Sequence, residues 1–171
     1  MIFAHREKDR SKLDLINAES RAEIDSWIAK YPAEQKQSAV MAALRIVQDQ
    51  NGCYLNNDLI EAVAEYLEMP AIAVYEVATF YSMYELKPVG KHKICVCTNI
   101  SCMLCGSDSI VEHLQNKLGI KLGETSADGK FTLKEVECLG ACVNAPMLQI
   151  GHEYYENLTP EKLDHIIDSL D

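Results

Sequence analysis

Two cysteine pairs constrain this chain more than any other feature. Cys97-Thr-Asn-Ile-Ser-Cys102 is a C-x4-C pair and Cys138-Leu-Gly-Ala-Cys142 a C-x3-C pair, and each follows a β-type run. If those two strands are neighbours in a sheet, their loops leave the same edge and four thiolates can surround one metal centre, despite residues 103–137 lying between the pairs. Six of the seven cysteines fall between Cys95 and Cys142, and only Cys53 lies outside. In a reducing compartment structural disulfides are rare, so clustered cysteines point to metal or redox chemistry.

Soft thiolate ligands suit iron-sulfur clusters and zinc, and a rhomb of two irons takes two thiolates on each iron. Two loops with two thiolates apiece match a 2Fe-2S cluster. Zinc sites built of four cysteines usually come as tighter C-x2-C knuckles, and both spacings here are longer. Zinc nevertheless remains a rival. So does the set Cys97, Cys102, Cys105 plus one of the later pair, because C-x4-C-x2-C is the plant-type ferredoxin spacing; it leaves Cys138 or Cys142 without a role. Cys102 and Cys105 also form a C-x-x-C. A Rieske centre needs two histidines, and His92 and His113 are poorly placed for that. Cys95 shares a strand face with Cys97 and is expected to be a small buried hydrophobe, as is Cys53 in the other half of the chain. Gly106, Gly140, Thr98 and Ser101 are small residues near the candidate ligands, as required where backbone amides approach cluster sulfurs.

The two halves differ in periodicity. Residues 20–30, 37–50, 58–67 and 71–84 carry apolar residues at helical spacing, with Asn51-Gly52 as a C-terminal cap and Asn57 as an N-cap. The fourth segment is apolar on most sides and is expected to be buried on more than one face. Lys87-Pro88-Val89-Gly90 then breaks the pattern. Beyond it come a strand at 91–97, a helix at 107–118 and a strand at 131–138. Short strands at 147–150 and 153–156 follow, then a helix capped by Thr159 with Pro160 at its first position. The expected organisation is a lead at 1–19, a helical bundle at 20–87 and, at 91–171, an α/β sandwich of thioredoxin-like type.

Composition narrows the function. The chain has 16 Lys and Arg against 26 Asp and Glu, a net charge of −10. The deficit divides about evenly at Lys87, with 9 basic against 14 acidic residues up to it and 7 against 12 after it. An evenly acidic chain has no electrostatic footprint for nucleic acid, so protein partners are expected instead. No apolar run is long enough to cross a bilayer, and Glu7, Asp9 and Asp14 interrupt an opening that would otherwise suit a targeting peptide; a bacterial cytoplasm is the expected location. There is no Gly-rich phosphate loop, dinucleotide fingerprint or nucleophile-base pair, so the chain is not expected to bind NADH or flavin, or to catalyse a reaction, by itself.

The segments Val77-Ala-Thr-Phe-Tyr81 and Pro88-Val-Gly90, both cysteine pairs, and Leu139-Gly-Ala-Cys142 running on to Ala145-Pro146 resemble the family of E subunits of bacterial NADH:quinone oxidoreductase, respiratory complex I. The resemblance covers the chain from about Ser20. It implies a helical domain joined to a thioredoxin-like 2Fe-2S ferredoxin domain, with Cys97, Cys102, Cys138 and Cys142 as iron ligands and Cys105 outside the set. It also implies a flavoprotein partner that binds FMN and NADH and exchanges single electrons with the cluster. The chain would then be a peripheral-arm subunit of a proton-translocating NADH dehydrogenase, on the inner face of the cell membrane. In that family the cluster usually lies off the main electron path, which implies transient electron storage. The small subunits of NAD-reducing hydrogenases and NAD-dependent formate dehydrogenases look similar and are the alternative.

Overall fold

The computed structural model describes residues 11–170. They divide after Pro88 into two compact units.

In the first unit a 3-10 turn at Lys12–Leu15 leads into α1 (Ala18–Ile28), α2 (Val40–Gln50), α3 (Asn57–Leu67) and α4 (Ala71–Phe80). Two asparagines start helices by accepting an otherwise orphaned amide: Asn17 Oδ1 from Ser20 N at 2.8 Å, and Asn56 Oδ1 from Leu59 N at 2.9 Å. The cap of α3 is therefore Asn56 and not Asn57, which opens the helix itself. Ile16, inside the stretch expected as a lead, is fully buried with Ile24, Leu44, Ile60 and Leu67. Residues 1–10 of that lead lie outside the described residues. Residues 37–39 belong to a 3-10 segment, Ala33–Ala39, with a kink at Gln35, and the α-helix begins only at Val40.

The fourth helix departs from expectation twice. It stops at Phe80, where Tyr81 turns extended, because α2 captures the chain beyond it. The buried Tyr84 hydroxyl donates to Met41 O at 2.8 Å, and Glu85 N donates to Gln48 Oε1 at 2.8 Å. Burial pushes the Tyr84 phenol up to about 12, so it stays a neutral donor. Nor is α4 buried on several faces. Only Val74 and Ala78 are buried, while Ile72 and Phe80 are 66% and 80% exposed.

The second unit is mixed α/β. Strands β1 (His92–Cys97), β2 (Phe131–Val136), β3 (Leu148–Ile150) and β4 (Glu153–Tyr155) form one sheet in the order β2-β1-β3-β4. β1 and β2 are parallel, with Cys97 opposite Val136, and the other two pairings are antiparallel. Along β1, Ile94 and Val96 point to one face, where they pack with Leu114 of α6 (Ser107–Leu118) and Leu163 of α7 (Pro160–Asp168). Cys95 and Cys97 take the opposite parity. Thr159 caps α7 by accepting from Lys162 N, with Pro160 at the first position.

Gly90 sits where the second unit begins. Its amide donates to the Thr132 hydroxyl at 2.6 Å, and a Cβ there would lie 2.8 Å from Phe131 C and 3.1 Å from Lys130 C. Those atoms are backbone of the neighbouring strand and cannot swing aside. Gly90→Ala should therefore destabilise the chain by about 1–3 kcal/mol, the range for overpacking, read as a lower urea midpoint. An unchanged midpoint would show that the strand has room to move.

Candidate metal centre

β1 lies between β2 and β3, so the 137–147 connection that joins β2 to β3 must pass across the end of β1. That end is where Cys97 stands, and Cys97 N donates to Met147 O at 3.2 Å as the connection rejoins the sheet. The topology alone brings the C-x3-C loop over the C-x4-C loop. Between Cys97 and Gly106 the chain forms a short helix that periodicity did not reveal, α5 (Ile100–Leu104). Asn99 starts it by accepting from Ile100 N at 2.9 Å. The same side chain reaches the other loop, Nδ2 donating to Glu137 Oε2 at 2.6 Å.

The four cysteines meet there as two pairs at different depths. Cys97 and Cys102 are buried, 2% and 1% exposed, with Met147 beneath them and Leu139, Ala141 and Ala145 beside them. Burial first, and the neighbouring Cys97 thiol second, push Cys102 up to about 11. Cys138 and Cys142 are exposed, their sulfurs 3.3 Å apart. The hydrogen bond between the two thiols holds Cys138 below the usual thiol range, helped by the Gly140 amide, which donates to its sulfur at 3.4 Å. The same contact with Cys138 raises Cys142 above the usual thiol range. Gly140 has φ +89°, in the region where a side chain is strained, so glycine is what lets the amide turn back onto Cys138.

The second loop is pinned elsewhere as well. Tyr154 Oη donates to Leu139 O at 2.8 Å, and Asn144 Nδ2 donates to Glu156 Oε2 at 2.7 Å. The same two loops carry exposed apolar side chains: Ile100, Met103 and Leu104 from α5, and Val143, 98% exposed, next to Cys142 in the chain. Residues 98–107 and 138–147 contain no charged side chain.

The other cysteines and histidines stand apart. Cys105 ends α5, exposed, with its amide donating to Cys102 O at 3.1 Å. Cys95 is buried in β1 and Cys53 half-buried in the first unit. His113 Nε2 lies 2.9 Å from Asp164 Oδ1, engaged by α7, and the His92 ring lies against Phe131. Among the described residues no three His, Cys, Asp or Glu side chains are gathered to hold a single metal ion.

The donor set fits a 2Fe-2S cluster by its chemistry: four soft thiols in two pairs, with an amide donor on an outer sulfur and an apolar floor. The Ser107 hydroxyl, fully buried at the start of α6 where this loop ends, has no hydrogen-bond partner among the described residues.

The family description Thioredoxin-like [2Fe-2S] ferredoxin matches residues 24–171. The E subunit of NADH-quinone oxidoreductase from Rickettsia bellii is 57% identical over 143 residues, 84% of this chain and 86% of that protein. The chain belongs to the thioredoxin-like 2Fe-2S ferredoxins, among the E subunits. Another relative of this ferredoxin, NADH-quinone oxidoreductase E subunit 2 of Rhizobium meliloti, is 45% identical over 149 residues, 87% of each chain. The crystal structure of an NAD+-reducing NiFe hydrogenase in the air-oxidised state shares the fold, with a TM-score of 0.63 and 19% identity. That likeness covers 74% of the ferredoxin but only 22% of the hydrogenase chain. Among the described residues of the ferredoxin no helix is long and apolar enough to cross a membrane.

Proposed function

We propose that this chain is the electron-carrying E subunit of an NADH-quinone oxidoreductase, holding one 2Fe-2S cluster on Cys97, Cys102, Cys138 and Cys142. The supporting observation is the convergence of both loops over the end of β1, which follows from β1 lying between β2 and β3. When bound, the cluster supplies one-electron redox chemistry. The chain's residues do the rest. Cys97 and Cys102 offer thiolates from a buried floor that excludes water, and Cys138 and Cys142 offer theirs from an exposed lid. Gly140 directs its amide at the outer sulfur of Cys138.

The partner is the flavin-bearing, NADH-oxidising subunit. Two features of the surface support a protein partner at this site. The cysteine loops are uncharged within a chain of net charge −10, and they present Ile100, Leu104 and Val143 to the outside. Such a surface is better buried against another protein than left in water. The exposed apolar side chains of α4 add a second area of the same kind. The location is the inner face of the bacterial cell membrane, reached through the complex. Identities of 45–57% to E subunits of NADH-quinone oxidoreductases favour this reading over a hydrogenase or formate dehydrogenase module.

Metal and acid-labile sulfide analysis of the anaerobically purified chain, with EPR after dithionite reduction, tests this. About two irons and two sulfides per chain and a spin-half signal are expected. Zinc without sulfide, from cells not starved of iron, would overturn it in favour of a structural module.

A further inference from the structure

The 137–147 connection is tied to the first cysteine loop at both of its ends. At the far end Cys97 N donates to Met147 O at 3.2 Å. At the near end the parallel ladder of β1 and β2 carries one backbone bond past Cys97, from Thr98 N to Val136 O at 3.3 Å. Beyond it the two chains part, one into α5 and Cys102, the other into Cys138. Asn99 spans that gap: its Oδ1 accepts from Ile100 N at 2.9 Å, and its Nδ2 donates to Glu137 Oε2 at 2.6 Å. Only one orientation of the amide serves both bonds, because Ile100 N must give a proton and the carboxylate must take one. Capping α5 needs only the oxygen, which aspartate or serine also provides. The nitrogen is what makes the side chain a clasp between the loops.

We propose that Asn99 is a positioning residue for the metal centre, its amide clasping Glu137 so that the start of α5 and Cys138 stand at a fixed separation before the four thiols take up a cluster. This rests on the ligand set proposed above. Glu137 directly precedes Cys138, and Asn99 leads into the helix that carries Cys102, its carbonyl accepting from Met103 N at 2.9 Å. Tyr154 and Asn144 pin the second loop to β4 and to Glu156, and Asn99 pins it to the first loop. A hydrogen bond to a carboxylate is roughly twice as strong as one between neutral groups. Thiols already held near their ligating positions lose less freedom on binding, and partners behind the ligands typically contribute about 10–100-fold in metal affinity. The clasp therefore acts on how long the cluster stays, through the spacing of the inner and outer pairs.

The test is the rate of cluster release to a chelator from the full chain, loaded anaerobically and followed by its visible absorption. Asn99→Ser keeps a capping oxygen and the charge but is too short to donate to Glu137, and release is expected to be about 10-fold faster or more. Asn99→Asp also keeps the cap, sets a second carboxylate against Glu137, and is expected to release at least as fast. Asn99→Asp combined with Glu137→Gln exchanges donor and acceptor in side chains of the same size, at the wild-type net charge, and is expected to restore the wild-type rate. That rescue separates a clasp from a cap, since the cap is present throughout. Release at the wild-type rate from Asn99→Ser, or no recovery in the paired variant, would overturn the proposal. If a single variant takes up no cluster, uptake by the paired variant supports the clasp and failure of that uptake overturns it. A wrong ligand set gives a different result, an unaltered spectrum for Cys138→Ser, whatever happens at Asn99.

Discussion

Serine in place of Cys102 is expected to leave a folded chain that no longer holds a cluster. The thiol is 1% exposed and sits on the apolar floor with Cys97 and Met147, so the loss is of a soft ligand at the inner end of the site. Iron should fall from about two per chain to well under one, with loss of the visible absorption and of the dithionite-induced EPR signal. Far-ultraviolet circular dichroism should be little changed, because a hydroxyl replaces a thiol of similar size beside a thiol partner. Cys97→Ser, Cys138→Ser and Cys142→Ser should behave alike or give a distorted spectrum. Cys105→Ser and Cys53→Ser should load normally, since Cys105 is exposed at the end of α5 and Cys53 lies in the other unit. A cluster lost on Cys105→Ser and retained on Cys138→Ser would transfer the assignment to the plant-type spacing.

Leu148→Ala should cost about 2–5 kcal/mol, the range for emptying a well-packed leucine site. That is a large fraction of the roughly 5–15 kcal/mol by which a native domain is stable. Leu148 is fully buried, paired with Val96 in β1 and Tyr155 in β4, and packed in the core that α6 and α7 cover. It also follows Met147, whose carbonyl accepts from Cys97 N, so a disturbed β3 loosens the crossing of the two loops. Urea denaturation of the full chain should show the loss, and cluster retention on standing should fall with it. Leu148→Met, which nearly conserves volume, should cost under about 1.5 kcal/mol. Equal effects of the two substitutions would mean that β3 is not packed as described.

Much of the architecture was legible because its signals are local. Apolar residues at helical spacing marked the four N-terminal helices, and the Thr159-Pro160 start of α7 is a capping pattern readable from two residues. Local signals fail where distant residues compete. Nothing within residues 71–84 ends α4 at Phe80; hydrogen bonds to Met41 and Gln48 on α2 draw Tyr84 and Glu85 away from the helix axis. An apolar composition implied burial for α4, but the bundle covers only the stripe through Val74 and Ala78. The two adjacent asparagines at 56 and 57 are equivalent by propensity, and only the backbone path makes Asn56 the cap.

At the site the division is sharper. The sequence by itself determined the donors: two pairs of soft ligands with fixed internal spacing, small residues beside them and no charge on either loop. It also specified that each pair follows a strand. Tertiary structure decided that the pairs meet, because strand order is a matter of pairing between residues far apart in the chain, to which local periodicity is blind. Placing β1 between β2 and β3 carries Cys138 and Cys142 over Cys97 and Cys102. It also decided what surrounds them: α5 is too short for a periodic signal, and its cap Asn99 is set against Glu137 of the other loop. Depth was likewise a tertiary outcome, since the same residue type is buried at Cys97 and Cys102 and open to water at Cys138 and Cys142, according to which loop lies beneath the other.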